Sequence, residues 1–167
     1  MAVVNEKSSF ITNLDAEPRV LNTAGLYGGV TRSYTIVHEI TAADSDTSTY
    51  RLLRLPSNVR LLGSSTISWD DMADTGSPTI DIGVANVSGE TRITDDPDAI
   101  NDGLDAAAAA AKTTVIKTID NYGKQLWEFV SGQTTDPKGD LEIYVSIVDA
   151  DVNLGGTLVA QFDITFD

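Results

Sequence analysis

The two closing segments of the chain, GDLEIYVSIVD and GTLVAQFDITF, restrict the possible folds more than any other feature. Leu141, Ile143, Val145 and Ile147 recur at every second position, and so do Leu158, Ala160, Phe162, Ile164 and Phe166. A period of two sends alternate side chains to opposite faces of a pleated strand, so each segment has one apolar face that belongs against a core. The same period recurs upstream. In SYTIVHEIT, Tyr34, Ile36, His38 and Ile40 share a face. Tyr50 to Leu55 reads as a strand, and Pro56-Ser57-Asn58 as a turn, because proline lacks the ladder donor. Val59, Leu61, Gly63, Ser65, Ile67 and Trp69 then line one face of the next strand. Ile80, Ile82 and Val84 mark another, and TTVIKTI and QLWEFV read as two more.

One stretch breaks the pattern. DDPDAINDGLDAAAAAAK offers Asp95 or Asp96 as a cap, Pro97 at a first helical position and Lys112 at the far end. It predicts a short helical insertion near 95–112, which Gly103 divides. Residues 1–32, with Pro18, Gly25, Gly28 and Gly29, read as an extended N-terminal arm or loose lead-in. The fold expected is all-β: a β-sandwich of jelly-roll type with about eight short antiparallel strands and one short helical insertion. A single sandwich domain then spans residues 33–167.

Bulk properties agree with one domain. A chain of 167 residues buries roughly 68–70% of its unfolded surface, enough for one core. There is no cysteine, so neither disulfides nor thiolate metal sites contribute. The net charge of -14 comes from 25 acidic and 11 basic side chains. Phosphate binding needs clustered cations, whereas Arg51, Arg54 and Arg60, the densest basic group, alternate with core residues; the reading is no nucleic-acid partner. The acidity reads first as solubility and mutual repulsion, and it also suits a protein kept away from packaged DNA. The opening MAVVNEKSSFITN has no basic region followed by a long apolar run. No segment reaches the eighteen or so apolar residues of a membrane span, so the expectation is a soluble protein with no membrane partner.

Chemistry-bearing constellations are sparse. His38 is the only histidine, set among apolar neighbours, which reads as a partly buried, satisfied ring. No G-x-S-x-G elbow and no Walker-type loop occurs. Asp70-Asp71 follows Trp69, an aromatic able to stack on a sugar, but adjacent strand residues point to opposite faces, and Trp69 reads as core or rim. Trp127 and Phe129 read the same way. DADVNLGG places Asp149, Asp151 and Asn153 at the alternate spacing of an EF-hand loop, yet Leu154 replaces the required glycine and Ala160 the bidentate glutamate. A hairpin loop of turn-forming residues is the reading there, as for Asp44/Asp46 and Asp95/Asp96/Asp98. No catalytic, cofactor or metal residue is assigned. In the arm, Leu21, Leu26 and Tyr27 among glycines are the candidate subunit or capsid contacts, with packing on the chain's own sandwich as the alternative.

RLLRLPSNVRLLGSSTISWDD, GSPTIDIGVAN and the closing GDLEIYVSIVDADVNLGGTLVAQFDITF together resemble the small virion structural proteins of tailed bacteriophages, particularly capsid decoration-type proteins. The positions that carry it are Leu55-Pro56, Arg60 to Ser65, and Thr79 to Val84. Residues 34–90 match well and the C-terminal strands loosely, with 95–112 an insertion and the arm unmatched. The resemblance implies a non-enzymatic head decoration protein on the capsid exterior, made in the bacterial host cytoplasm. Its implied partner is the major capsid protein of the phage head, with self-association as a homo-oligomer, a trimer favoured. Two alternatives stay open: a tail, neck or head-fibre component, and a carbohydrate-binding β-sandwich using Trp69 or Trp127.

Overall fold

The structure, a computed structural model, describes residues 7–22 and 28–166. Nine strands carry it: β1 (Thr31–Ile40), β2 (Thr49–Pro56), β3 (Arg60–Leu61), β4 (Thr66–Trp69), β5 (Thr79–Asn86), β6 (Asp96–Asp105), β7 (Ala110–Thr114), β8 (Asp140–Val148) and β9 (Gly156–Thr165). They form two antiparallel sheets. The first has the order β1-β9-β4-β7, with β3 also on β9; the second is β2-β8-β5-β6. Four hydrogen-bonded pairs nest along the chain: β1 with β9, β2 with β8, β4 with β7, β5 with β6. A long hairpin nested in this way, rolled so that successive pairs alternate between sheets, is a jelly roll, as expected from the alternation.

The inner faces are the ones the period of two marks. Leu141, Ile143, Val145 and Ile147 of β8 join Leu158, Ala160, Phe162 and Ile164 of β9 in one buried cluster, with Ile80, Ile82 and Val84 of β5 and Ile67 of β4. Each such aliphatic or phenyl group contributes about 1.5–3 kcal/mol by leaving water. Trp69 belongs to the core, and its indole N–H donates to the carbonyls of Asp105 (3.2 Å) and Ala108 (3.0 Å). His38 lies half-buried with its ring 4.9 Å from that of Tyr50. Phe166 lies beyond the end of β9 and is partly exposed, so the alternation stops at Ile164.

The helical insertion near 95–112 is not there. That stretch forms β6 and β7, and the one α-helix among the described residues, α1 (Ser9–Asp15), lies in the lead-in, where the Ser8 hydroxyl accepts the Ile11 N–H. The alanine run has helix propensity but no apolar stripe to bury, and tertiary packing decides between the two states. As a tight crossing between sheets it fits well. Ala106 is fully buried, donates to Pro78 O and accepts from Met72 N, both at 3.0 Å. The Asn101 amide donates to Thr114 O (3.2 Å) and Val115 O (2.9 Å), tying β6 to β7. β6 also shifts register twice against β5, with Gly103 at φ +76°, so no alternation was available to read. QLWEFV is likewise not a strand: Leu126–Phe129 is a 3-10 turn closed by Gln125 and Glu128 in a reciprocal cap.

Burial of both faces of β8 was not apparent from the period alone. Outside the core, Glu142, Tyr144 and Ser146 are also buried. Residues 96–97 cross the outer side of β5 at Gly83, where a Cβ would stand 2.4 Å from Asp96 O and 2.6 Å from Pro97 Cα. Glycine is needed there for that close approach.

Candidate interaction surface

No convergent chemistry appears among the described residues. Asp70 and Asp71 lie just past the end of β4 and use their carboxylates on different parts of the chain: Asp70 Oδ2 accepts from Thr157 N (3.0 Å) and Asp71 Oδ1 from Ala73 N (3.1 Å). A shallow groove beside them is lined by Ser68, Trp69, Asp70, Ala109, Ala110, Thr157 and Val159, without an acid–base pair. The EF-hand-like loop spends its oxygens on the chain itself. Asp149 accepts from Thr79 Oγ1 (2.8 Å), Asp151 from Asp46 N (2.9 Å), and Asn153 from Asp74 N (3.0 Å). Burial pushes the Asp81 carboxyl up, the Gly103 N–H holds it back, and Asp102, Asp98 and Asp149 add to the rise. Asp81 faces Ser146, whose buried hydroxyl has no hydrogen-bond partner among the described residues. Even so, Asp102 is paired with Lys117, and among the described residues no three His, Cys, Asp or Glu side chains gather as a metal site.

What the fold does create is two unlike ends. The connections β1–β2 (41–48), β4–β5 (70–78), β6–β7 (106–109) and β8–β9 (149–155) meet at one end, because Ile40 pairs with Gly156, Trp69 with Ala110 and Leu158, and Thr79 with Asp105 and Val148. Together they carry seven carboxylates, Asp44, Asp46, Asp70, Asp71, Asp74, Asp149 and Asp151, and no Lys, Arg or His. These loops are laced to one another, by Ala43 N to Val152 O (2.8 Å), Leu154 N to Met72 O (3.0 Å) and the Asn153–Asp74 pair.

The opposite end differs in kind. There β1 and β9 pair at Thr31–Thr165, β9 and β3 at Thr165–Arg60, and Arg60 bridges to Gln125. Around this row stand Val30, 77% exposed, Phe166 with the Arg32 guanidinium 5.0 Å above its ring, and Lys124. The Tyr122 ring lies against Gly63, and Ile119 is exposed on the same 119–122 turn.

Of the contact residues expected from sequence, Leu21 is 89% exposed, while Leu26 and Tyr27 lie outside the described residues. Sequence reading missed Val30, Ile119, Tyr122 and Phe166. Ile119 and Phe166 sat inside segments read as strands, and only the points at which those strands end place them on the surface.

No family model and no curated protein matches the chain. Among solved structures, a chain in the capsid asymmetric unit of cyanophage Pam1 is similar over its whole length: TM-score 0.56 and 14% identity, covering 100% of both chains. At that identity the likeness is one of fold. The acid-stable capsid of Helicobacter pylori bacteriophage KHP30 (TM-score 0.38, 15% identity, 80% of this chain and 92% of that one) lies further away. So does the Gx strain of infectious bursal disease virus (0.47, 9%, 81% and 32%).

Proposed function

We propose that this chain is a structural protein of a phage head that attaches non-covalently to the outside of the assembled capsid and reinforces it. The observation that supports this reading is the end-to-end correspondence, without overhang on either side, with a chain of a phage capsid asymmetric unit. A jelly roll laced at its loops and lacking a catalytic cleft among its described residues is a rigid body suited to adhesion. Mass action supplies the mechanism: a protein that binds the assembled lattice and not its dissociated subunits stabilises the lattice by RT ln(1 + [L]/Kd). The partner is the major capsid protein, and repetition over the lattice sums many weak contacts.

Quantitative mass spectrometry of purified virions tests this. The expected result is a copy number of the same order as the major capsid protein. Absence from the particle eliminates the proposal, and a handful of copies moves the protein to a tail, neck or fibre position.

A further inference from the structure

We infer that the chain docks through the end that carries Val30, Arg32, Arg60, Ile119, Tyr122 and Phe166, and that its acidic loop end points away from the shell. This inference rests on the head-attachment reading and deepens it by naming the docking surface and the chemistry of its partner: apolar side chains ringed by carboxylates on the outer face of the capsid.

Desolvation separates the two ends. Pressing the four acidic connections against another protein strips water from seven carboxylates with no cation among them, and a buried unpaired charge costs several kcal/mol. The other end is close to charge balance instead: its connections 87–95 and 115–139 carry Glu90, Asp95, Asp120, Glu128 and Asp136 against Arg92, Lys117, Lys124 and Lys138. Its exposed apolar groups gain by burial, and aromatic and Arg side chains are what interface cores favour. The row Gln125–Arg60–Thr165–Thr31 spans three adjacent strands and the bridged Gln125 segment, roughly 15 Å across at the usual strand spacing.

Charge complementarity names the partner. In a chain of net charge -14, this end assembles Arg32, Arg60 and Lys124. Among the described residues neither Arg32 nor Lys124 has a carboxylate partner; Arg32 lies over Phe166, and Arg60 donates to Gly123 O at 2.7 Å. Asp120 of the 119–121 turn and Glu128, whose carboxylate accepts the Gln125 N–H at 2.6 Å, stand beside these cations, and the seven loop carboxylates lie at the far end. An acidic receiving surface repels that far end and accepts this one, so the field of the molecule orients it during approach.

Capsid shells free of this chain, mixed with purified protein and sedimented, provide the test through the number of copies bound per shell. Wild type binds, and binding weakens as salt rises. Arg32→Glu with Lys124→Glu weakens binding by about tenfold or more, as does Val30→Asp, while Asp46→Lys at the acidic end stays within about twofold. All these positions are exposed or half-exposed, and wild-type melting temperatures confirm that the variants fold. If the Arg32/Lys124 and Val30 variants bind like wild type, or Asp46→Lys alone abolishes binding, the orientation is overturned while head attachment stands. If wild type binds no shell, both fall.

Discussion

Replacing Glu142 with glutamine shows how far charge holds the outer side of the second sheet. Glu142 stands on β8 between Arg54 of β2 and Ala85 of β5. Its carboxylate accepts from Arg51 Nη1 at 2.6 Å and from Arg54 Nε and Nη2 at 2.9 and 2.6 Å. A hydrogen bond to a charged group contributes about 1.5–3 kcal/mol. Both guanidinium side chains are about half in water, however, so screening brings the expected loss to about 1–2 kcal/mol. At roughly 2–4 °C per kcal/mol for a domain of this size, E142Q melts about 2–8 °C below wild type near neutral pH. The effect has a definite pH dependence. Burial pushes the Glu142 carboxyl up, but the hydrogen bonds from Arg54 and Arg51 outweigh it and hold it below the ordinary value of 4.5. The folded state therefore binds this proton more weakly than the unfolded state does. Its contribution is complete above the unfolded value and is lost as pH falls through the folded one. Calorimetry from about pH 7 down to about pH 3 must show the gap between wild type and E142Q closing on acidification. A gap of under about 1 °C at neutral pH, or one that persists unchanged in acid, refutes the reasoning.

Three further substitutions probe other parts of the account. Phe162→Ala, at a fully buried ring of β9, costs about 3–5 kcal/mol and lowers the melting temperature by roughly 6–20 °C. Gly83→Ala drives a methyl group into the backbone of Asp96 and Pro97 and costs about 1–3 kcal/mol, with faster amide exchange at the start of β6 as its local signature. Trp69→Phe leaves the carbonyls of Asp105 and Ala108 without their donor and costs about 1 kcal/mol. In the wild-type protein, tryptophan fluorescence stays flat across a glycan panel because the Trp69 ring is in the core and Trp127 is half-buried against it, its indole N–H donating to Gln125 Oε1 at 2.7 Å; saturable quenching restores the carbohydrate reading.

The sandwich was legible wherever one face of a strand is buried and the other is wet. β1, β2, β5, β8 and β9 fall where the period of two places them, and Pro56 ends β2 at a turn as its missing N–H requires; the single strand read over Val59 to Trp69 is instead broken into β3 and β4 by a turn at Gly63-Ser64, which the Ser65 N–H closes onto Leu62 O. Legibility failed at β6 and β7, where bulges break the period and alanines placed for their small size imitate a helix. It failed again at Asp163, which stands on the outer face of β9 yet is buried. Its carboxylate takes hydrogen bonds from Ser33, Ser64 and Gln161, and those of the two serines hold it below the ordinary range against the opposing effect of burial. Such networks join residues a hundred positions apart, and a linear pattern carries no trace of them. Sequence reading sought contacts in the arm, at Leu21, Leu26 and Tyr27, whereas the proposed docking end is built from other residues. The contrast between an acidic and an apolar end emerges once topology brings four separate loops together.

A reconstruction of the intact phage particle with this chain traced in density addresses the central claim most directly. The account predicts jelly-roll density repeated with the symmetry of the head lattice, on its outer surface, with residues 41–48 and 149–155 toward solvent. Density confined to the tail or neck, or a shell whose outer surface carries no such domain, contradicts it.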